Sequence, residues 1–306
     1  MTKKIYDLII IGGGPAGLTA GIYASRARLD TLLFEAKLIG GQATTTDRIA
    51  NYPGFPEITS GLELTERMKE QAQKFDLKIV QEEVTKIQWE EKKIITKSNQ
   101  YQTKSIIVAT GAEQKNLRVP GEMEFLGRGV SFCATCDGPF FKDKQVIVVG
   151  GGDAAITEAL HLTKFAKKVI AIHRREELRA AKILQEEMQA NEKIYSLGGY
   201  VVERIEGKER VEKVLAENVE TGKIKEIPAD GIFISIGTSP KTEFLRGMVE
   251  MDEEGYIITD KNMQTSVSGI FAAGDVRQKL LRQIATAVGD GATAAKAVEE
   301  YLKQIC

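Results

Sequence analysis

A glycine fingerprint occurs twice in this chain, each time directly after a short apolar run. Leu8-Ile9-Ile10-Ile11 feeds Gly12-Gly13-Gly14-Pro15-Ala16-Gly17, and a stretch of helical spacing follows from Leu18 to Ala24. Lys144 to Val149 feeds Gly150-Gly151-Gly152-Asp153-Ala154-Ala155, which opens a helix expected over 156–164. An uninterrupted apolar run of this length predicts a strand buried on both faces. In that strand–turn–helix context the first glycine makes the turn, the second admits a pyrophosphate to the backbone, and the third position packs helix on strand. The free N–H groups and partial positive charge of the helix start then face the phosphates. The pattern predicts an α/β chain built from two Rossmann-like, three-layer nucleotide-binding units.

The second strand of each unit ends in a different charge. Thr31-Leu32-Leu33-Phe34 predicts such a strand in the first unit, ending at Glu35, 23 positions past Gly12. A carboxylate there suits ribose hydroxyls. Val169–Ile172 predicts its counterpart, ending at His173, 23 positions past Gly150, with Arg174, Arg175 and, one turn on, Arg179 after it. An acid would repel a 2′-phosphate, whereas arginines attract one through forked, charge-assisted hydrogen bonds. The second unit therefore reads as an NADPH site and the first as a different dinucleotide's site. The competing reading of the arginines, a solvated basic helix start, does not account for the equal spacing.

Between the two units lies Cys133-Ala134-Thr135-Cys136-Asp137. Two thiols three positions apart can close and reopen a small disulfide, and the adjacent carboxylate of Asp137 can exchange protons with the thiol that leaves. A zinc site would need two more ligands. The chain's other cysteine is Cys306, and its two histidines are His161 and His173, so no metal is expected.

The remaining sequence adds glycine turns and a closing helix. Leu62–Phe75 has amphipathic helical spacing, and Val80–Tyr101 alternates as a β-meander would. Ile106–Gly111, Ala229–Gly237 and Gly269–Val276 are strands ending in glycine turns, the last with Asp275 placed to take a ribityl hydroxyl. Residues 183–219 predict a helix and then short strands. Arg282–Gly291 opens a small-residue helix running to Leu302. The formal net charge of −1 supplies no attraction for nucleic acid or an anionic membrane. No apolar run approaches the ~20 residues of a spanning helix, and no signal-peptide pattern is present. A cytoplasmic protein is expected.

Taken together, Gly12–Gly17, Gly40-Gly41-Gln42, Asn51-Tyr52-Pro53-Gly54, Cys133–Asp137, Gly150–Ala155, His173-Arg174-Arg175, Gly274-Asp275 and Arg282-Gln283 closely resemble the low-molecular-weight thioredoxin reductases of bacteria and archaea. The resemblance covers essentially the whole chain. It implies a homodimer with an FAD domain of residues 1–112 and 245–306 and an NADPH domain of 113–244 inserted into it. It implies FAD bound by Gly12, Gly14, Gly17, Glu35, Gln42, Asn51, Asp275, Gln283 and Ile284. NADPH would be bound by Gly152, Ala155, His173, Arg174, Arg175 and Arg179. It further implies hydride transfer from NADPH to FAD and on to a Cys133–Cys136 disulfide, with Cys136 nearer the flavin, Cys133 attacking thioredoxin's disulfide, and Asp137 managing protons. In the family the inserted domain rotates between two states. Two other readings keep the fold: a disulfide reductase serving another redoxin, or one driven by a donor other than NADPH. Asp153, where the family often has Asn or Ser, and the stretch Tyr195–Tyr200 depart from the usual pattern.

Overall fold

The computed structural model describes residues 4–45, 49 and 51–305, without the side chain of Cys136. The chain forms two compact units, residues 1–113 with 239–306, and residues 114–238.

In the first unit, β1 (Ile5–Ile11) runs into α1 (Pro15–Arg26) and then β2 (Thr31–Phe34). Next come α2 (Gly61–Gln73), β3 (Lys78–Val80), β4 (Val84–Gln88), β5 (Lys93–Thr96) and β6 (Gln100–Val108). The β1–α1–β2 unit is right where the apolar run, glycine turn and helical spacing predict it. Helix α2 starts at the Ser60 cap, whose side chain accepts from Glu63 N, as a hydroxyl at this position should. The strands join in the order β3-β2-β1-β6-β5-β4. The β4–β5–β6 part is antiparallel, which is the meander, and the rest is parallel.

The second unit begins after β7 (Ala112–Gln114) with β8 (Val130–Ser131) and the single helical turn α3 (Ala134–Asp137). It continues with β9 (Gln145–Val149), α4 (Asp153–Leu162), β10 (Lys168–His173), α5 (Lys182–Gln189) and β11 (Ile194–Gly198). Helix α4 starts three residues earlier than expected, because Gly152 in extended conformation is already its cap. Then come β12 (Tyr200–Gly207), β13 (Val211–Asn218), β14 (Ile224–Pro228) and β15 (Gly231–Ile234), and β16 (Thr238–Pro240) returns the chain to the first unit. A parallel sheet of order β11-β10-β9-β15-β8 carries a separate antiparallel β12-β13-β14 sheet. Strands β12 and β13 are eight residues each, longer than the short strands expected here. One-sided burial of Val202, Ile205, Val211, Val214 and Ala216 holds them in register.

The first unit is completed by β17 (Ile270–Ala272) and α6 (Ile284–Ile305). Strand β6 changes partners along its length: Gln100–Gln102 pair with β5, and Ile106–Val108 pair in parallel with β17. No described helix is long and apolar enough to cross a membrane.

Alternation along the strands builds the same layers twice. In the first unit Leu8, Ile10, Leu33 and Ile107 face α1, α2 and α6, while Ile9, Ile11, Leu32 and Val108 face the meander and residues 245–257. In the second, Val146, Val148 and Phe233 face α4, while Ile147, Val149 and Ile232 face the antiparallel sheet. Each such side chain, at most 5% exposed, contributes about 1.5–3 kcal/mol relative to remaining in water.

Candidate functional site

In the first unit, Gly12 takes φ +112, and a Cβ there would collide with the Ala109 carbonyl oxygen. Its N–H donates to Phe34 O at 2.8 Å, tying the turn to the end of β2. Gly14 is the extended cap of α1, with no side-chain cap on the first N–H groups among the described residues. Those donors are left for an anion. A Cβ on Gly17 would strike the Gly12 carbonyl oxygen, so α1 sits on the turn at a distance only glycine allows. The Glu35 carboxylate accepts from Gly13 N at 2.7 Å and from Lys37 N at 2.8 Å, which fixes it against the turn.

The other first-unit candidates gather around that turn from distant parts of the sequence. Gly40 N donates to Gly13 O at 2.8 Å, and a Cβ on Gly41 would lie 3.3 Å from Gly14 Cα, which brings exposed Gln42 beside the fingerprint. A Cβ on Gly274, φ +81, would lie 2.8 Å from the Ala16 Cβ, which puts the Asp275 turn at the start of α1. Gly291 of α6 also approaches Ala16 closely, at its carbonyl oxygen. Asn51 Nδ2 donates to Gln283 Oε1 at 3.0 Å, next to Ile284, the first residue of α6.

Asp275 Oδ1 is buried and has no partner among the described residues. Burial pushes its carboxyl pKa up, against the pull of Lys279 and Arg282, with Asp290 adding to the rise. An orphaned acceptor deep beside a glycine-lined helix start is what a ligand hydroxyl would satisfy. Together with the open donors of α1 and the anchored Glu35, these residues fit FAD.

In the second unit Gly150 takes φ +144, and a Cβ there would collide with the Ser235 carbonyl oxygen. Gly152 has open space where its Cβ would stand. Ala155 is buried, in the apolar cluster that also holds Ala134, Ala159 and Leu162. The segment carrying Arg179 is stapled to the fingerprint: Arg179 N and Ala180 N donate to Gly151 O at 2.7 and 3.1 Å, and Ala181 N to Asp153 Oδ1 at 2.7 Å. Asp153 thus has a definite structural partner.

Arg174, Arg175 and Arg179 are all exposed. His173 is buried: it is 5% exposed, and its Nε2 is 2.9 Å from Ser196 Oγ. Burial lowers its pKa, opposed by the Arg175 backbone and Glu176. The position holds a neutral imidazole with three guanidinium groups beyond it. An open glycine-capped helix start with a cationic rim fits NADPH.

Cys133 of the same unit is disulfide-bonded. Its N–H donates to Ser131 Oγ at 3.0 Å, at the end of β8. Asp137 N donates to Cys133 O at 3.1 Å, closing the turn α3 on which Cys136 also lies. The side chain of Cys136 lies outside the described residues. Ala134 packs this turn onto α4. Residues that sequence reasoning missed are Ser196, Lys279, Arg277 and Asp290, all of which act through contacts the linear pattern does not encode. Asp153 carried a signal, its departure from Asn or Ser, but not its meaning.

A pyridine nucleotide-disulphide oxidoreductase family signature spans residues 6–291. The chain is 46% identical to the thioredoxin reductase of Peptoclostridium litorale over 99% of both chains. It is 47% identical to that of Bacillus subtilis strain 168, over 99% of this chain and 96% of the relative. The solved structure of Lactococcus lactis thioredoxin reductase superposes with a TM-score of 0.95 at 45% identity, covering 98% of this chain and 99% of that one. The chain therefore belongs to the pyridine nucleotide-disulphide oxidoreductase family, among its low-molecular-weight thioredoxin reductases.

Proposed function

We propose that this chain reduces the disulfide of thioredoxin at the expense of NADPH, with FAD held by the unit 1–113 and 239–306 and NADPH by the unit 114–238. The observation that carries the reading is a disulfide at Cys133, in a CxxC segment built into the second of two nucleotide folds. When bound, FAD would supply the two-electron redox chemistry that links NADPH to that disulfide.

The chain's own residues divide the remaining work. Gly12, Gly14 and Gly17 bring the α1 donors to the FAD pyrophosphate, and Glu35 meets the adenosine ribose. Asp275 accepts a ribityl hydroxyl. Gln42, Asn51, Gln283 and Ile284 complete the flavin site. Gly152 and Ala155 receive the NADPH pyrophosphate at the start of α4. Arg174, Arg175 and Arg179 bind the 2′-phosphate, and His173, braced by Ser196, holds the strand end from which the arginines emerge.

Once reduced, Cys133 attacks one sulfur of the thioredoxin disulfide as a thiolate, forming a mixed disulfide and expelling the other sulfur as a thiolate. The Cys136 thiolate then attacks Cys133 Sγ, reforming the chain's own disulfide and releasing reduced thioredoxin. Asp137 relays the protons that the leaving sulfurs require. Two electrons and two protons pass from dithiol to thioredoxin. We place the protein in the cytoplasm as a homodimer, in keeping with its likeness to bacterial thioredoxin reductases.

Anaerobic titration with NADPH and NADH, followed at the flavin absorbance, tests the reading. Bleaching is expected with NADPH at far lower concentration. An equal response to both would remove the role given to the arginines.

A further inference from the structure

The turn after β17 carries more buried charge than the binding of a neutral ribityl chain explains. Gly274 N donates to Asp290 Oδ2, in α6, at 3.1 Å. The same oxygen accepts from Lys279 Nζ at 2.7 Å, and Oδ1 lies 3.7 Å from the Arg277 guanidinium. These side chains are 12%, 7% and 13% exposed in the order Asp290, Lys279, Arg277. Arg277 Nε also donates to Thr259 Oγ1 at 3.0 Å. A lysine this deeply buried requires a counter-charge.

Two carboxylates compete for that lysine. Asp275 follows Gly274 directly, and both Lys279 and Arg282 act on it electrostatically. Yet Asp275 Oδ1 is buried without a partner among the described residues. Arg282 is turned aside, its guanidinium stacked 3.8 Å over the Tyr256 ring. Lys279 is taken by Asp290.

We propose that Asp290 is a positioning residue for the flavin site: by engaging Lys279, with Arg277 behind it, it keeps the ammonium off Asp275 and leaves Asp275 Oδ1 open for a ligand hydroxyl. This rests on the assignment of Asp275 to FAD. Remove the charge of Asp290, and the buried ammonium closes an ion pair with Asp275. A neutral hydroxyl then has to displace a charge-assisted bond in a site with little water, which it does poorly.

The test is titration of the flavin-free full-length protein with FAD, followed by flavin fluorescence, in Asp290→Asn, Lys279→Met and the double variant. The amide of Asp290→Asn can still accept from Gly274 N, so only the charge is lost. FAD affinity is expected to fall about tenfold or more in Asp290→Asn, as for loss of one charge-assisted contact. It should return to within about threefold of the parent in the double variant, since that change removes the competing cation. Lys279→Met alone should bind as the parent does, because Arg277 still neutralises Asp290.

Parental affinity in Asp290→Asn, or no recovery in the double variant, overturns the proposal. If Asp290→Asn does not fold, the double variant decides alone, and its failure to fold or to bind FAD overturns the proposal equally. Asp275→Ala, which removes the acceptor itself, separates the two readings. If it binds FAD as the parent does, the assignment of Asp275 to the ribityl chain falls. If it binds weakly while Asp290→Asn does not, only the role of Asp290 falls.

Discussion

Gly12 and Gly150 occupy the same place in two folds of the same layering, yet the residues 23 positions beyond them differ in charge and in partners. Glu35 lies against its turn, with backbone N–H groups of Gly13 and Lys37 on its carboxylate. His173 is driven into the core against Ser196, and the polar end of that strand is handed to surface arginines. The third fingerprint position differs as well. Gly17 leaves no room for a methyl, because the Gly12 carbonyl oxygen stands there, while the Ala155 methyl is accommodated in the apolar cluster beside α4. The same backbone thus accepts ligands of different charge because side chains at the strand ends, not the glycine turns, set the local field. The second unit also carries the redox cysteines, on a turn packed against the helix that its fingerprint opens.

The largest effect should come where the second unit departs most from the first. Cys133→Ser or Cys136→Ser is expected to lower the rate of thioredoxin reduction by at least ~10³-fold, since the first removes the attacking sulfur and the second the sulfur that resolves the mixed disulfide. Flavin bleaching by NADPH should persist in both. Stopped-flow absorbance alongside a thioredoxin-coupled assay separates the two half-reactions, and unchanged turnover would take the dithiol out of the mechanism.

Exchanging the third fingerprint residues breaks the comparison most directly. Gly17→Ala forces a methyl into backbone and should cost about 1–3 kcal/mol of stability along with FAD retention. Ala155→Gly should keep NADPH binding and lose only about 1 kcal/mol, from helix propensity and packing. Thermal melts and flavin release would show the asymmetry, and equal effects at the two positions would refute it.

Arg174→Ala and Arg175→Ala sharpen the contrast in charge. Each should raise the KM for NADPH about tenfold or more and leave that for NADH nearly unchanged. A parallel loss for both nucleotides would mean that the arginines support the fold and do not read the phosphate.

The smallest expected effect concerns Glu158 of α4. Burial pushes its carboxyl up to about 8, and its Oε2 has no partner among the described residues. The folded state therefore holds a proton that the unfolded chain releases above about pH 4.5, so stability falls as pH rises toward 8. Glu158→Gln removes that loss. Its advantage over the parent should be slight at pH 5 and grow as the pH rises toward 8, read from urea unfolding at several pH values. An advantage independent of pH would contradict the buried-acid account.

The layered core was legible in the amino-acid order, because alternating and uninterrupted apolar runs name their own strands. Leu8–Ile11, Thr31–Phe34 and Val169–Ile172 all fall inside observed strands, and the amphipathic spacing of Leu62–Phe75 marks α2. The β12–β13 hairpin was harder to delimit. Its register rests on burial of one face against the parallel sheet, and polar residues on the other face blur its ends.

What the amino-acid order determined by itself is local chemistry: two glycine turns after apolar strands, the charge at the end of each second strand, and two thiols three residues apart. These depend on neighbours within a few bonds, where backbone sterics and spacing act alone. Only the tertiary structure decided that His173 is a buried neutral imidazole on Ser196, that Asn51 meets Gln283, and that Asp290 holds Lys279 beside Asp275. Solvent exposure and the pairing of charges arise from packing between residues far apart in the chain, and burial is what turns an ordinary lysine and two ordinary aspartates into a site with one open acceptor.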